Sequence, residues 1–138
     1  MTRPILKILI VDDSPVDADM VCKALDAIDV AIKTVVHNSG LSAIEYLNTT
    51  EELPNLVLLD LHMPPPNGME VLRQIRKDTK LQSIPVIMLS GTHTDDVIRD
   101  AYALNINAYV VKPGSYRAFM RVVKCIADFW LCTDIRLP

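Results

Sequence analysis

Asp12 and Asp13 directly follow the apolar run Lys7-Ile-Leu-Ile-Val11. Asp60 follows Leu56–Leu59, Ser90 follows Val86–Leu89, and Lys112 follows Ala108–Val111. Three acids, a hydroxyl and an amine, each just past a strand-length run, can handle a charged oxyanion if the runs end on one rim. Carboxylates brought together repel, each pair by roughly 4 kcal/mol at ~4 Å and an effective dielectric of about 20. Either a cation offsets that repulsion or one acid holds a proton. Oxygen ligands without Cys or paired His favour a hard divalent ion, and Mg²⁺, which takes one or two carboxylates and keeps several waters, suits so sparse a set. The expected site has Mg²⁺ on Asp13 and Asp60 directly, on Asp12 through water, and on the backbone carbonyl of His62. Beside such an ion Asp60 can attack a phosphoryl group, with Lys112 and the metal offsetting the oxygen charges and the Ser90 hydroxyl donating a hydrogen bond. The product is an acyl phosphate. Asp is also a common cap and turn former, so an acid pair alone carries little. The combination is what is specific.

The elements that must position these groups are legible as alternating runs. Besides the four above, Ile32-Lys-Thr-Val-Val36 has strand length, and four of the five runs are almost continuously apolar, the mark of strands covered on both faces. Between them the apolar spacing is helical. Ser14-Pro15 offers a cap and a first-turn proline, and Val16, Met20, Val21, Leu25 and Ile28 then form a stripe to about Ile28. Ser39-Gly40 starts a second helix, Gly68 precedes a third, Thr94-Asp95-Asp96 opens a fourth, and Ser115 caps a fifth with the stripe Phe119, Val122, Val123, Ile126 and Trp130. The fold class is therefore α/β: a flavodoxin-like, doubly wound, five-stranded parallel sheet of order 2-1-3-4-5 with five helices. Ligands of such sheets bind beyond the carboxyl ends of the first and third strands, where the winding reverses, which is where the acids stand.

Composition narrows the classes further. The chain has 138 residues, room for one domain, with 50% hydrophobic and 22% charged residues, the balance of a packed core. A net charge of −3 and the absence of a basic stripe argue against direct nucleic-acid binding, and no apolar run is long enough for a membrane span. Cys22, Cys125 and Cys132 have no metal-ligand spacing, and their wide separation fits reduced thiols in a cytoplasmic protein.

The segments Val11-Asp-Asp-Ser14, Leu59-Asp60-Leu-His-Met-Pro64 with Gly68 beyond, Pro85-Val-Ile-Met-Leu-Ser90 and Tyr109-Val-Val-Lys112-Pro113 closely resemble the receiver domain of two-component response regulators, from about Lys7 to Phe129. The resemblance implies that Asp60 is the phosphoacceptor for a sensor histidine kinase. It also implies that Asp12 and Asp13 hold Mg²⁺, that Ser90 and Tyr109 are the switch hydroxyl and switch aromatic, that Lys112 pairs with the phosphate, and that the Lys112–Pro113 bond is cis. His62 and Thr92 depart from common family residues and flank the path of an attacking water, and Gly91 stands where Ala is commoner, which should loosen that loop.

Kinase docking is expected at Ser14, Pro15, Val16 and Asp19 together with Pro113, Gly114 and Ser115. The segment Phe129-Trp130-Leu131 with Leu137-Pro138 resembles the tail of stand-alone receivers that partner bacterial and cyanobacterial phytochromes. Residues 1–130 are read as the receiver domain and 131–138 as a tail. Output is then expected through a protein contact, with Trp130 and Leu131 on a partner or homodimer surface built on the fourth and fifth helices. Rival readings fit less well. A dehalogenase-type phosphatase would need a second acid where His62 stands, a flavin carrier would want a hydroxyl- and glycine-rich loop where Asp12-Asp13 stand, and a receiver that signals without phosphorylation would not need all five groups.

Overall fold

A computed structural model describes residues 6–28 and 30–131, with strands and helices in strict alternation. In chain order they are β1 (Leu6–Val11), α1 (Pro15–Asp26), β2 (Ile32–His37), α2 (Gly40–Thr49), β3 (Leu56–Leu59), α3 (Gly68–Lys77), β4 (Val86–Ser90), α4 (Asp95–Ala103), β5 (Ala108–Val111) and α5 (Tyr116–Leu131). The sheet order is β2-β1-β3-β4-β5 and every pairing is parallel, as the alternation requires. Helix starts are fixed by side chains. The Ser14 hydroxyl accepts from the Asp17 N–H at 3.3 Å, Ser39 from Ser42 at 3.1 Å, Asn67 from Glu70 at 3.0 Å and Ser115 from Ala118 at 3.2 Å. Thr94 holds the cap position of α4 without a side-chain bond.

The period-two alternation of the strands divides the core in two. Leu9, Val11, Val57, Leu59, Val86 and Met88 face α2, α3 and α4, where they meet Leu47, Leu72 and Ile75. Ile8, Ile10, Leu56, Leu58, Ile87 and Leu89 face α1 and α5, where they meet Val21, Leu25, Phe119 and Val123. Burial on both faces explains why β1, β3 and β4 read as continuous apolar runs. The outer strand β5 departs from that expectation: its residues are half-buried and Val111 is 41% exposed, because an edge strand lacks a neighbour on one side.

Two stripe residues also depart from expectation. Val16 is 68% exposed, since the first turn of α1 projects past the sheet, and the buried positions of that helix are Ala18, Val21, Ala24 and Leu25. Helix α1 ends at Asp26, a residue or two short of the expected Ile28. Trp130 is half-buried against the α1/α5 core, so the sheet layer still reaches it; the adjacent Phe129, about 100° around the helix, is the exposed aromatic at 56%. Leu131 belongs to α5, and Cys132 and the rest of the tail lie outside the described residues.

Gly68 lets α3 start against the backbone that follows β3. A Cβ there would lie 2.4 Å from the Asp60 carbonyl oxygen and 2.8 Å from Leu61 Cα, both backbone atoms that cannot swing aside. Gly91 has open space around it. Gly68→Ala is therefore expected to destabilise the fold by roughly 1–3 kcal/mol in urea unfolding, the usual effect of overpacking, while Gly91→Ala stays within about 0.5 kcal/mol of wild type. Equal effects would contradict this packing.

Candidate functional site

Strand register brings the predicted groups to one rim. Val11 pairs with His37 on one side and with Leu59 on the other, so β1 and β3 end level. The Asp60 N–H donates to the Val11 carbonyl at 2.9 Å and the Asp12 N–H to the His37 carbonyl at 3.1 Å. Asp12 and Asp60 are thereby held side by side by the last bonds of the ladder. At the other edge the Lys112 N–H donates to the Ser90 carbonyl at 2.7 Å, which continues the β4–β5 pairing past Val111.

Asp12, Asp13 and Asp60 each offer an oxygen, and these atoms all lie within 4.8 Å of one another. Asp12 and Asp60 are buried, whereas Asp13 opens to solvent. The trio is an all-oxygen, hard donor set at the spacing a divalent cation bridges, with one open side through which the ion and its waters can enter. The Lys112 ammonium lies across the trio, 3.1 Å from Asp12 Oδ2 and 3.4 Å from Asp60 Oδ1. Asp12 also accepts the Ser14 N–H at 2.9 Å, which closes the β1–α1 turn.

Burial dominates the electrostatics. It raises the Asp60 carboxyl to about 6, with the Asp12 and Asp13 charges adding to the rise and Lys112 opposing it. Asp12 is raised for the same first reason, against the Ser14 hydrogen bond and Lys112. For Lys112, burial alone would favour the neutral amine. The hydrogen bond that it donates to Asp17 and the charges of Asp12 and Asp60 outweigh it, and the ammonium is held above the ordinary lysine value.

Asp17 is the group that sequence reasoning missed. Its Oδ2 lies 2.8 Å from Lys112 Nζ, the shortest of the three lysine contacts. A signal was available: an acid in the first turn after Ser14-Pro15 points back toward the strand end that precedes the cap. Asp19, expected at the docking surface, is exposed and pairs with Lys23 at 2.9 Å along the outer face of α1. Pro15 and Val16 are exposed and Ser14 is half-buried. Asp17, Lys112, Pro113, Gly114 and Ser115 line a common cavity of about 380 Å³ between α1 and the β5–α5 loop.

Ser90 is fully buried at the end of β4, and its Oγ accepts the Thr92 N–H at 3.2 Å. The Tyr109 hydroxyl donates to the Thr92 carbonyl at 2.5 Å, so the half-buried ring of β5 holds the loop that follows Ser90. The Thr92 hydroxyl meets the exposed His62 imidazole, which joins that loop to the β3–α3 loop. The Lys112–Pro113 bond is not cis: among the described residues the cis peptide is Pro65–Pro66. Trans is the intrinsic preference of X–Pro bonds, and with it the Lys112 side chain reaches Asp12, Asp17 and Asp60. Among the described residues no helix is long and apolar enough to cross a membrane.

The chain is similar in sequence and fold to known proteins. Residues 8–124 match the model of the family described as response regulator receiver domain. The chain is 35% identical over 128 residues to the probable methanogenesis regulatory protein FilR2 of Methanothrix harundinacea, covering 90% of this chain and 83% of that one. It is 33% identical over 142 residues to the response regulator Rcp1 of Synechocystis sp., covering 99% and 96%. The solved structure of the phosphorylated cyanobacterial phytochrome response regulator RcpA superposes with a TM-score of 0.92 at 34% identity, over 98% of this chain and 99% of that one. The Mn(2+)-bound form of Rcp1 gives 0.89 at 32%, over 96% and 99%.

The Asp60 value sets the sign of a pH effect. A carboxyl raised on folding from 3.8 to about 6 contributes stability below the lower value and loses it as pH rises through the upper one. In chelator-treated protein, Asp60→Asn is therefore expected to exceed wild type by roughly 1–3 kcal/mol at neutral pH in urea unfolding, the gap closing as pH falls toward 4. A gap that widened on acidification would contradict the burial argument.

Proposed function

The chain belongs to the response regulator receiver domain family, and from that membership we propose that it accepts a phosphoryl group on Asp60 from a sensor histidine kinase. Receiver domains of this family act in two-component phosphorelay signalling. The observation that carries the assignment of the acceptor is the position of Asp60: buried, beside Asp12 and Asp13, with the Lys112 ammonium 3.4 Å from Oδ1. Burial makes its carboxylate a better nucleophile than an exposed acid, because basicity and nucleophilicity rise together when solvent is withdrawn.

The proposed ion is Mg²⁺, held by Asp13 and Asp60, by Asp12 through water and by the His62 carbonyl. The hard donor set and the Mn(2+)-bound form of the relative Rcp1 support a divalent cation there. When bound it supplies Lewis-acid stabilisation of the charge on the transferred group. The chain's own residues do the rest. An Asp60 oxygen bonds to phosphorus as the phosphorus–nitrogen bond of the donor histidine breaks. Lys112 pairs with a phosphoryl oxygen, and the Ser90 hydroxyl turns from the Thr92 N–H to donate to another.

That movement is the proposed signal. The Ser90 loop is bonded to Tyr109 through the Thr92 carbonyl, so drawing the loop toward the phosphate changes the ring's anchor and the α4–β5–α5 face around it. In this reading the receiver supports its own phosphorylation from the donor and, with His62 and Thr92 over the rim, hydrolysis of its own acyl phosphate.

Kinase docking is proposed at Ser14, Pro15, Val16 and Asp19 with Pro113–Ser115, the last three of which line the cavity beside Lys112. A phytochrome is the proposed kinase class, on the likeness to RcpA. Homodimerisation is proposed through α4 and α5 with Phe129, Trp130 and Leu131, and the location is proposed to be cytoplasmic. The exposed Phe129 ring stacks edge-on against Trp130 at 5.2 Å, which makes a large aromatic surface at the end of α5.

Incubation with Mg²⁺ and acetyl phosphate is expected to add about 80 Da, one phosphoryl group, to wild type and nothing to Asp60→Asn. Intact mass spectrometry reads both, and equal labelling of the two proteins would overturn the assignment. Tyr109→Phe is expected to accept the phosphoryl group normally while losing most of any phosphorylation-dependent partner binding or dimerisation, measured by sedimentation.

A further inference from the structure

The Lys112 ammonium is shared among Asp17 at 2.8 Å, Asp12 at 3.1 Å and Asp60 at 3.4 Å. Two of those acids belong to the trio that would hold a divalent cation, so the ammonium and the ion compete for the same two carboxylates. Of the three lysine partners only Asp17 lies outside the trio. We propose that Asp17 is a positioning residue for the cation site: it draws the Lys112 ammonium off Asp12 and Asp60 and so frees their oxygens for the ion. The proposal rests on the receiver reading above and adds a fourth acid to its site.

The geometry favours such a movement. Asp17 already makes the closest lysine contact, so the displacement required is small. Its position is fixed from behind, since its N–H is capped by Ser14 Oγ and Pro15 stiffens the turn. Its side chain keeps 32% of its surface, against 6% for Asp12 and 8% for Asp60. Asp17, Lys112 and Pro113 line a shared cavity, so there is room for the ammonium on the Asp17 side. A lysine parked on Asp17 stays within reach of the same rim and can return to a phosphoryl oxygen once one is present.

The test is calorimetric titration of the intact protein with Mg²⁺ alone, in wild type, Asp17→Asn, Asp17→Glu, Lys112→Gln and the Asp17→Asn/Lys112→Gln double variant, each checked for folding by circular dichroism. Asp17→Asn is expected to weaken Mg²⁺ binding by roughly fivefold or more, the scale of a coupling between neighbouring sites, and Asp17→Glu to restore most of it. Lys112→Gln removes the competitor and is expected to tighten binding, and in that background Asp17→Asn should have little further effect. An unchanged affinity in Asp17→Asn, or an equal loss with and without Lys112, overturns the proposal, because the acid would then act only as a distant charge. A wild type that takes up no Mg²⁺ overturns the cation site itself together with this refinement, whereas binding that ignores Asp17 overturns the refinement alone.

Discussion

Crowding of like charges at one end of a parallel sheet is the constraint on which the rest of this molecule depends. Asp12 and Asp60 sit at the ends of adjacent strands because Val11 and Leu59 are paired in register, and the ladder leaves them no freedom to move apart. Asp13 adds a third carboxylate within 4.8 Å. Lys112, from the far edge of the sheet, neutralises only part of that charge. Charge crowded this way favours a cation and disfavours an anion, so in the proposed function metal, phosphoryl group and lysine are coupled in a single balance.

The two half-cores make that balance rigid. β1, β3 and β4 are covered on both faces, so repulsion at their ends cannot be relieved by splaying the strands. Relief must come from the loops, and those at the rim are tied in pairs. Tyr109 and Ser90 both bond to Thr92, Thr92 meets His62, and Gly68 seats α3 directly on the Asp60 backbone. A change in charge at Asp60 therefore has a short path into the β4–α4 loop, and from there to β5.

Much of this was legible in the sequence, because strand ends are marked by where apolar runs stop. The bounds of β3 and β5 and the acids, hydroxyl and lysine beyond the runs follow from that rule alone. The misses share a different cause. Asp17 and Asp19 are two residues apart, about 200° around a helix, so one faces the rim and the other pairs with Lys23 in solvent. Finding Asp17 needs the angle at which α1 leaves the sheet, which composition does not encode. Phe129 and Trp130 pose the same problem at the end of α5, and Val16 at the start of α1. The trans Lys112–Pro113 bond was misjudged because the expectation came from likeness rather than from any local residue preference.

Four carboxylates stand at this rim, and the account rests on one of them being the acceptor. Borohydride reduces an acyl phosphate to an alcohol, so treating the freshly phosphorylated protein and mapping peptides by mass spectrometry marks the acid that carried the group. The account predicts homoserine at position 60 and unaltered aspartate at positions 12, 13 and 17. Homoserine at any of those three, with Asp60 intact, would contradict it.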